Sequence, residues 1–175
     1  MMNDEKEAIL KKLSHATSLL PGKISPDLIP CGGVQLAYAR KGARDDTDIA
    51  RVRGGLCPEN KVSDIYQVGF GGGGMIATVL LTAMKFDPRI RSAAIIACTR
   101  SAVNTMDGRF FEICSFDPRM EPPGIRTMDW GVAQCCRNGV PDAIYSRSTG
   151  DSGAVIRLFG EDPVEVANNI LMLSV

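Results

Sequence analysis

The sequence predicts an α/β domain with a layered core, and three observations predict it. Short apolar runs alternate with helical patterns from residue 91 onward. A glycine run, Gly69-Phe70-Gly71-Gly72-Gly73-Gly74, leads directly into a segment that is apolar nearly all round. The composition, 45% hydrophobic and 23% charged over 175 residues, is that of a globular chain and not of a disordered one. That length suits one domain with at most a small appendage. Chains of roughly 150 residues bury about 70% of their unfolded surface, enough for a sizeable core.

Residues 4–20 read as an amphipathic helix, with Ala8, Ile9, Leu13, Ala16, Leu19 and Leu20 at three- and four-residue spacing. Pro21-Gly22 stops it, so residues 1–22 are expected to form an N-terminal helix ahead of a main domain over 23–175. His15 falls off the apolar stripe and reads as a surface residue. Strands are expected at 34–39 and 48–52, joined by a polar loop over 41–46. The segment Met75 to Phe86 suits a buried helix that Asp87-Pro88 ends. Next come a strand at 93–98, a helix capped by Thr99 that Gly108 closes, and a strand at 110–116. Thr127 is expected to cap a helix from Met128 to Arg137. Strands at 142–145 and 154–159 follow, and Asp162-Pro163 opens a last helix over 164–173.

Counts of charge, histidine and cysteine exclude several functions. Twenty basic and twenty acidic side chains sum to zero, which weighs against a dedicated nucleic-acid binder. One histidine, His15, excludes a His-rich metal site. Cys31, Cys57, Cys98, Cys114, Cys135 and Cys136 form no C-x-x-C pair. They are expected to be reduced and mostly buried in a cytoplasmic protein. The first residues lack the apolar core of a signal peptide, and no run of about 18 apolar residues exists. The glycine run is the sharpest chemical signal. Free backbone N–H groups and the positive end of a helix dipole meet there, an arrangement suited to phosphate. It is neither a G-x-G-x-x-G fingerprint nor a Walker loop.

At Leu80-Leu81-Thr82-Ala83-Met84-Lys85-Phe86-Asp87-Pro88 the chain resembles the archaeal-type thiamine-phosphate synthase family, ThiN. The resemblance continues through Cys114-Ser115-Phe116-Asp117, Thr127-Met128-Asp129-Trp130-Gly131-Val132 and Val140-Pro141-Asp142-Ala143-Ile144-Tyr145. It ends in Ile156-Arg157-Leu158-Phe159-Gly160-Glu161-Asp162-Pro163, so the ordered match runs from about residue 27 to 172. It implies a three-layer α/β/α fold of the class II aldolase-like kind. It also implies a reaction joining hydroxymethylpyrimidine diphosphate to thiazole phosphate, which gives thiamine phosphate and pyrophosphate. Related domains occur fused to a pyrimidine kinase or to a DNA-binding helix-turn-helix, and in the latter setting they sense ligand without catalysis. The single helix before residue 28 is too short for such a helix-turn-helix.

The departures from the family pattern bear on chemistry. The resemblance expects a histidine and, three residues later, an arginine after the glycine loop; Met75 and Thr78 stand there. It expects a second arginine where Gly55 stands. Pyrophosphate departure builds negative charge that fixed cations or a metal stabilise, and loss of one such group costs about 10²–10³ in rate. Arg53, Arg119, Arg126 and Arg147 are candidate replacements.

The expected ligand-binding set is the glycine loop Gly71, Gly72, Gly73 and Gly74 with Met75, followed by Asp117, Arg119, Met128, Trp130, Asp142 and Arg147. Asp117 suits a pyrimidine amine or a metal, or simply the turn before Pro118. Arg119 suits a phosphate. Trp130 suits ring stacking or core packing.

The reading that follows is a thiamine-metabolism domain. It would bind thiamine phosphate or its phosphorylated precursors with impaired catalysis, in a sensor or regulatory role. The alternative is an active synthase with a reorganised site, using Mg²⁺. A metal-dependent aldolase is disfavoured by the missing histidine ligands, while a pure interaction module stays open. The expected partner is a phosphorylated small molecule. Neither membrane nor nucleic acid is expected without a separate DNA-binding protein, and a homodimer is compatible with the resemblance.

Overall fold

A computed structural model describes residues 2–56, 67–109, 111–124, 128–147 and 153–174. Its elements in chain order are helix α1 (Met2–Ser18), strands β1 (Gln35–Ala39), β2 (Ile49–Val52) and β3 (Val68–Phe70), and helix α2 (Gly74–Phe86). Strand β4 (Ser92–Ala97), helix α3 (Arg100–Gly108), strand β5 (Ile113–Phe116) and helix α4 (Trp130–Cys135) follow. Strands β6 (Ala143–Ser146) and β7 (Val155–Gly160) and helix α5 (Pro163–Leu173) complete the chain.

The strands form one sheet in the order β3-β2-β1-β4-β7-β6-β5. Every neighbouring pair is antiparallel except β5 with β6. Successive strand residues face opposite sides, and the sheet therefore feeds two cores. Leu36, Tyr38, Ala94, Ile96, Ile156 and Leu158 point to the layer formed by α1, α3 and α5. Ala37, Ala39, Ile49, Ala93, Ile95, Ile144 and Phe159 point to the layer formed by α2 and α4. The three-layer α/β/α expectation holds, with a mixed sheet whose central strands are apolar on both faces. Ile9, Leu13 and Ala16 of α1 are buried in the same core as α5 and the sheet.

Helix ends follow their capping chemistry. Thr99 accepts from the Ala102 amide at the start of α3, and Asp162 accepts from Val164 at the start of α5, just before Pro163. Asp162 also pairs with Lys12, which ties α1 to the head of α5. Burial pushes the Asp162 carboxyl up, but its bonds to Lys12 and Val164 outweigh that and hold it below the ordinary aspartate value.

Several expectations are corrected. Helix α4 begins at Trp130, because Asp129 accepts from the Val132 amide and caps it there; it is shorter than the expected 128–137 span. Thr127 lies outside the described residues. Strand β5 starts at Ile113 and not at 110, since the Asp142 carboxylate takes the Glu112 amide out of the ladder. Strand β3 occupies the approach to the glycine run that reads as loop in the sequence.

The cysteines are not all reduced and buried. Cys114 on β5 and Cys135 on α4 form a disulfide across 21 residues, Cys31 is exposed, and Cys136 is buried as a free thiol. Helix α4 packs directly on β5, which brings two distant cysteines to a Cα separation of 5.7 Å. Burial raises the Cys136 thiol to about 11, so it packs as an inert apolar group.

Cross-linking a loop of this size stabilises a fold by about 3 kcal/mol. Urea unfolding of Cys114→Ser should show a loss of that order, and wild-type protein held in reductant should match the variant. Equal midpoints for oxidised wild type and variant would remove the bridge from the stability of the fold.

Candidate functional site

A cavity lies at the end of the sheet where α2 begins. Its volume is about 610 Å³, within the range of small-molecule sites. One wall is the loop from Asp27 to Gly33, and another is the head of α2 at Gly74, Met75 and Ile76. Gln35, Arg51, Ile95 and Val155 line its floor from β1, β2, β4 and β7, with Cys98 just past the end of β4. The Gln35 amide oxygen is buried there with no hydrogen-bond partner among the described residues, a polar group that a bound donor would satisfy.

The glycine run builds the head of α2. Gly73 is its N-cap with φ 61° and ψ −137°, a backbone conformation that side chains rarely tolerate, and it supplies no side-chain cap. The first amides of a 13-residue helix are therefore left to whatever approaches them. The Asp46 carboxylate approaches this turn, with Oδ2 3.5 Å from where a Gly73 β-carbon would stand. Met75 is 56% exposed at the cavity rim. Thr78 is also exposed, its hydroxyl 3.5 Å from the Gly74 carbonyl.

Gly55, where the resemblance expects an arginine, has no room for one. Its φ is +73°, and a β-carbon there would meet the Gly32 carbonyl at 2.5 Å and the Gln35 amide nitrogen at 3.0 Å. The loop from Asp27 to Gly33 has closed onto that position.

The remaining expected residues divide among other places. Asp117, Trp130 and Arg147 line a second cavity of about 440 Å³ with Phe116, Met120, Pro122 and the Cys114–Cys135 bridge. Trp130 meets Phe116 edge to face at 6.0 Å. Asp117 accepts bidentately from Arg119, which with Arg147 holds its carboxyl below the ordinary range. Arg119 is 88% exposed and is satisfied by that pair. Asp142 lies in a third, small cavity and is spent on the Glu112 amide. Met128 is half-buried and lines none of these three cavities, Arg53 is exposed beside β3, and Arg126 lies outside the described residues. The structure thus brings Gly74 and Met75 to one cavity and Asp117, Trp130 and Arg147 to another.

Sequence reading missed Gln35, Arg51 and Arg157. Arg157, on β7, is 9% exposed, stacks on the Phe116 ring at 5.3 Å and lies 3.7 Å from the Asp129 carboxylate, with its Nε unpartnered. Burial lowers its pKa while Asp129 opposes the shift. The available signal was strand alternation: Arg51 and Arg157 stand at positions whose same-face neighbours, Ile49 and Phe159, are core. Among the described residues no three His, Cys, Asp or Glu side chains converge as a metal group would need. The histidine ligands of a metal-dependent aldolase do not fit this chain, because His15 is exposed on α1, across the sheet from the α2 layer.

The fold is class II aldolase-like: 12% identity with TM-score 0.54 to the L-fuculose 1-phosphate aldolase of Glaciozyma antarctica supports that fold alone, and the match covers 99% of this chain and 72% of the aldolase. A solved C-terminal domain of phosphomethylpyrimidine kinase is 30% identical with TM-score 0.80, covering 97% of this chain and all of that one. The bifunctional thiamine biosynthesis protein ThiDN of Methanocaldococcus jannaschii is 35% identical over 170 residues. That match takes in 94% of this chain but 40% of the relative, so the chain spans two fifths of that protein's length. The family model of thiamine-phosphate synthase ThiN matches residues 12–172, and the chain belongs to that family of thiamine biosynthesis. No helix among the described residues is long and apolar enough to cross a membrane.

Gly73→Val places a β-branched side chain where φ is 61°, at a cost of about 1–3 kcal/mol that the turn can relieve only by moving. Calorimetry with thiamine phosphate should show binding weakened about tenfold or more, with the far-UV spectrum unchanged. Equal affinity would take the glycine turn out of the site.

Proposed function

We propose that this domain binds thiamine phosphate, or its phosphorylated pyrimidine and thiazole precursors, in the α2 cavity, and that it condenses those precursors weakly or not at all. Its role on this reading is that of a ligand sensor or regulator in thiamine metabolism. The observation that carries the reading is the uncapped head of α2, formed by Gly73 and Gly74 and open to a cavity of about 610 Å³. Backbone N–H groups at such a helix head are a ready site for a phosphate. The residues at the two family positions for a proton-handling group and a cation are an exposed thioether, Met75, and a hydroxyl, Thr78. Neither stabilises the charge of a departing pyrophosphate. Closure of the Gly32 loop on Gly55 removes room for the second family arginine. Mg²⁺ belongs to the competing reading of an active synthase, where it would accompany the diphosphate. The domain division at residue 22 and a homodimer remain part of this proposal.

Purified protein should bind thiamine phosphate in calorimetry yet form little of it from both phosphorylated precursors with Mg²⁺. Product at an enzymatic rate would overturn the sensor reading in favour of the synthase. The double substitution Met75→His, Thr78→Arg should raise the residual rate by about 10²-fold or more; no gain would detach those two positions from the lost catalysis.

A further inference from the structure

We propose that Arg51 is the phosphate-binding cation of the α2 cavity, positioned by the glycine loop itself. The inference rests on the reading that this cavity takes a phosphorylated ligand, and adds the side chain that supplies positive charge. Strand alternation sends Arg51 to the face of the sheet shared by Ile49, the face that α2 covers. Its register partners are Ala37 on β1 and Gly69 on β3. Both are small, which leaves its stem free to run along the sheet toward the head of α2. There it lines the cavity beside Gly74 and Met75.

Two contacts hold the guanidinium. Its Nε donates to the Gly71 carbonyl at 3.0 Å. Its plane lies over Gly72, where an added β-carbon would stand 2.3 Å from Nη2 and 2.8 Å from Cζ. The glycine at 72 is therefore required by the arginine as much as by the turn. This anchoring uses one of five N–H donors and fixes the plane of the fork.

Among the described residues the other donors have no anionic partner. Among the described residues Arg40, Arg89, Arg119 and Arg157 each pair with a carboxylate, whereas no ion pair involves Arg51. Asp46 reaches the outer side of the turn at Gly73, where its charge opposes an anion. Arg51 offsets that charge from the cavity side. A half-buried, pre-oriented guanidinium next to free helix amides matches a phosphate's oxygens in charge and in geometry. Arg53, two residues on, is exposed and donates to the Phe70 carbonyl; it does not line the cavity.

The test is calorimetry of wild type, Arg51→Gln, Arg51→Lys and Gly72→Ala with two probes, thiamine phosphate and unphosphorylated thiamine. Arg51→Gln should weaken thiamine phosphate about tenfold or more while thiamine changes less than about twofold. Arg51→Lys should fall between, since it keeps the charge and loses the fork. Gly72→Ala, which displaces the guanidinium, should reproduce Arg51→Gln. Circular dichroism and melting confirm the fold of each variant; should Arg51→Gln fail to fold, Gly72→Ala and Arg51→Lys decide by the same criterion. Unchanged phosphate affinity, or an equal loss for both probes, overturns the role of Arg51 and leaves the cavity reading in place. Wild type that binds neither probe overturns both.

Discussion

The rest of the structure depends on the double burial of the central strands. β4 pairs along its whole length with β7 and along most of it with β1, and Ala93, Ala94, Ile95 and Ile96 are buried on alternate faces. Such a strand has no solvent side, so helices must cover both faces. α2 and α4 cover one, and α1, α3 and α5 cover the other. Charge entering the α2 layer from the sheet is therefore costly unless something answers it. Arg157 is answered by Asp129 and the Phe116 ring. Arg51 is answered by one carbonyl and by the space at Gly72.

The glycine loop is shaped from outside as well as from within. Arg53 covers Gly69, Arg51 covers Gly72, and Asp46 approaches Gly73. A run of glycines read alone suggests looseness. In the folded chain each of these three leaves a Cβ-sized gap that a neighbouring side chain approaches. The helix that follows is anchored by Ile76, Val79, Leu80 and Ala83, all buried. Its first amides are thus held at a fixed place relative to the cavity, which is the precondition for recognising an anion by backbone alone.

Most of the fold was legible in the sequence, for local reasons. Thr99 and Asp162-Pro163 announce their helices because capping is a matter of a few adjacent atoms. The apolar runs of β4 and β7 announce buried strands. What was not legible depended on distant neighbours. The bridge between Cys114 and Cys135 follows from α4 lying on β5, and a sequence separation of 21 carries no sign of it. β3 is three half-buried residues at the sheet edge, too short for alternation to register. Of the expected residues, Gly74 and Met75 line the α2 cavity. Asp142 and Arg119 stand elsewhere, bonded to the Glu112 amide and to Asp117. Arg51 was not legible as a cavity residue, since a single charged residue in a strand looks like a solvent-facing position until the covering helix is seen.

A physical asymmetry explains how a scaffold of this kind can keep a ligand and lose a reaction. Ground-state recognition of phosphate draws on backbone amides, which survive any side-chain change that leaves the turn intact. Acceleration draws on groups that stabilise charge appearing only in the transition state. Those groups are side chains, and one substitution removes each. In this chain the head of α2 has no side-chain cap, while the positions where the resemblance expects the transition-state groups hold Met75, Thr78 and Gly55. The cation that remains by the cavity, Arg51, comes from the strand and not from the helix, and its Nε is tied to the loop carbonyl of Gly71. On the proposed reading, a cation placed that way would favour a bound phosphate in the ground state and tip the site from turnover toward binding.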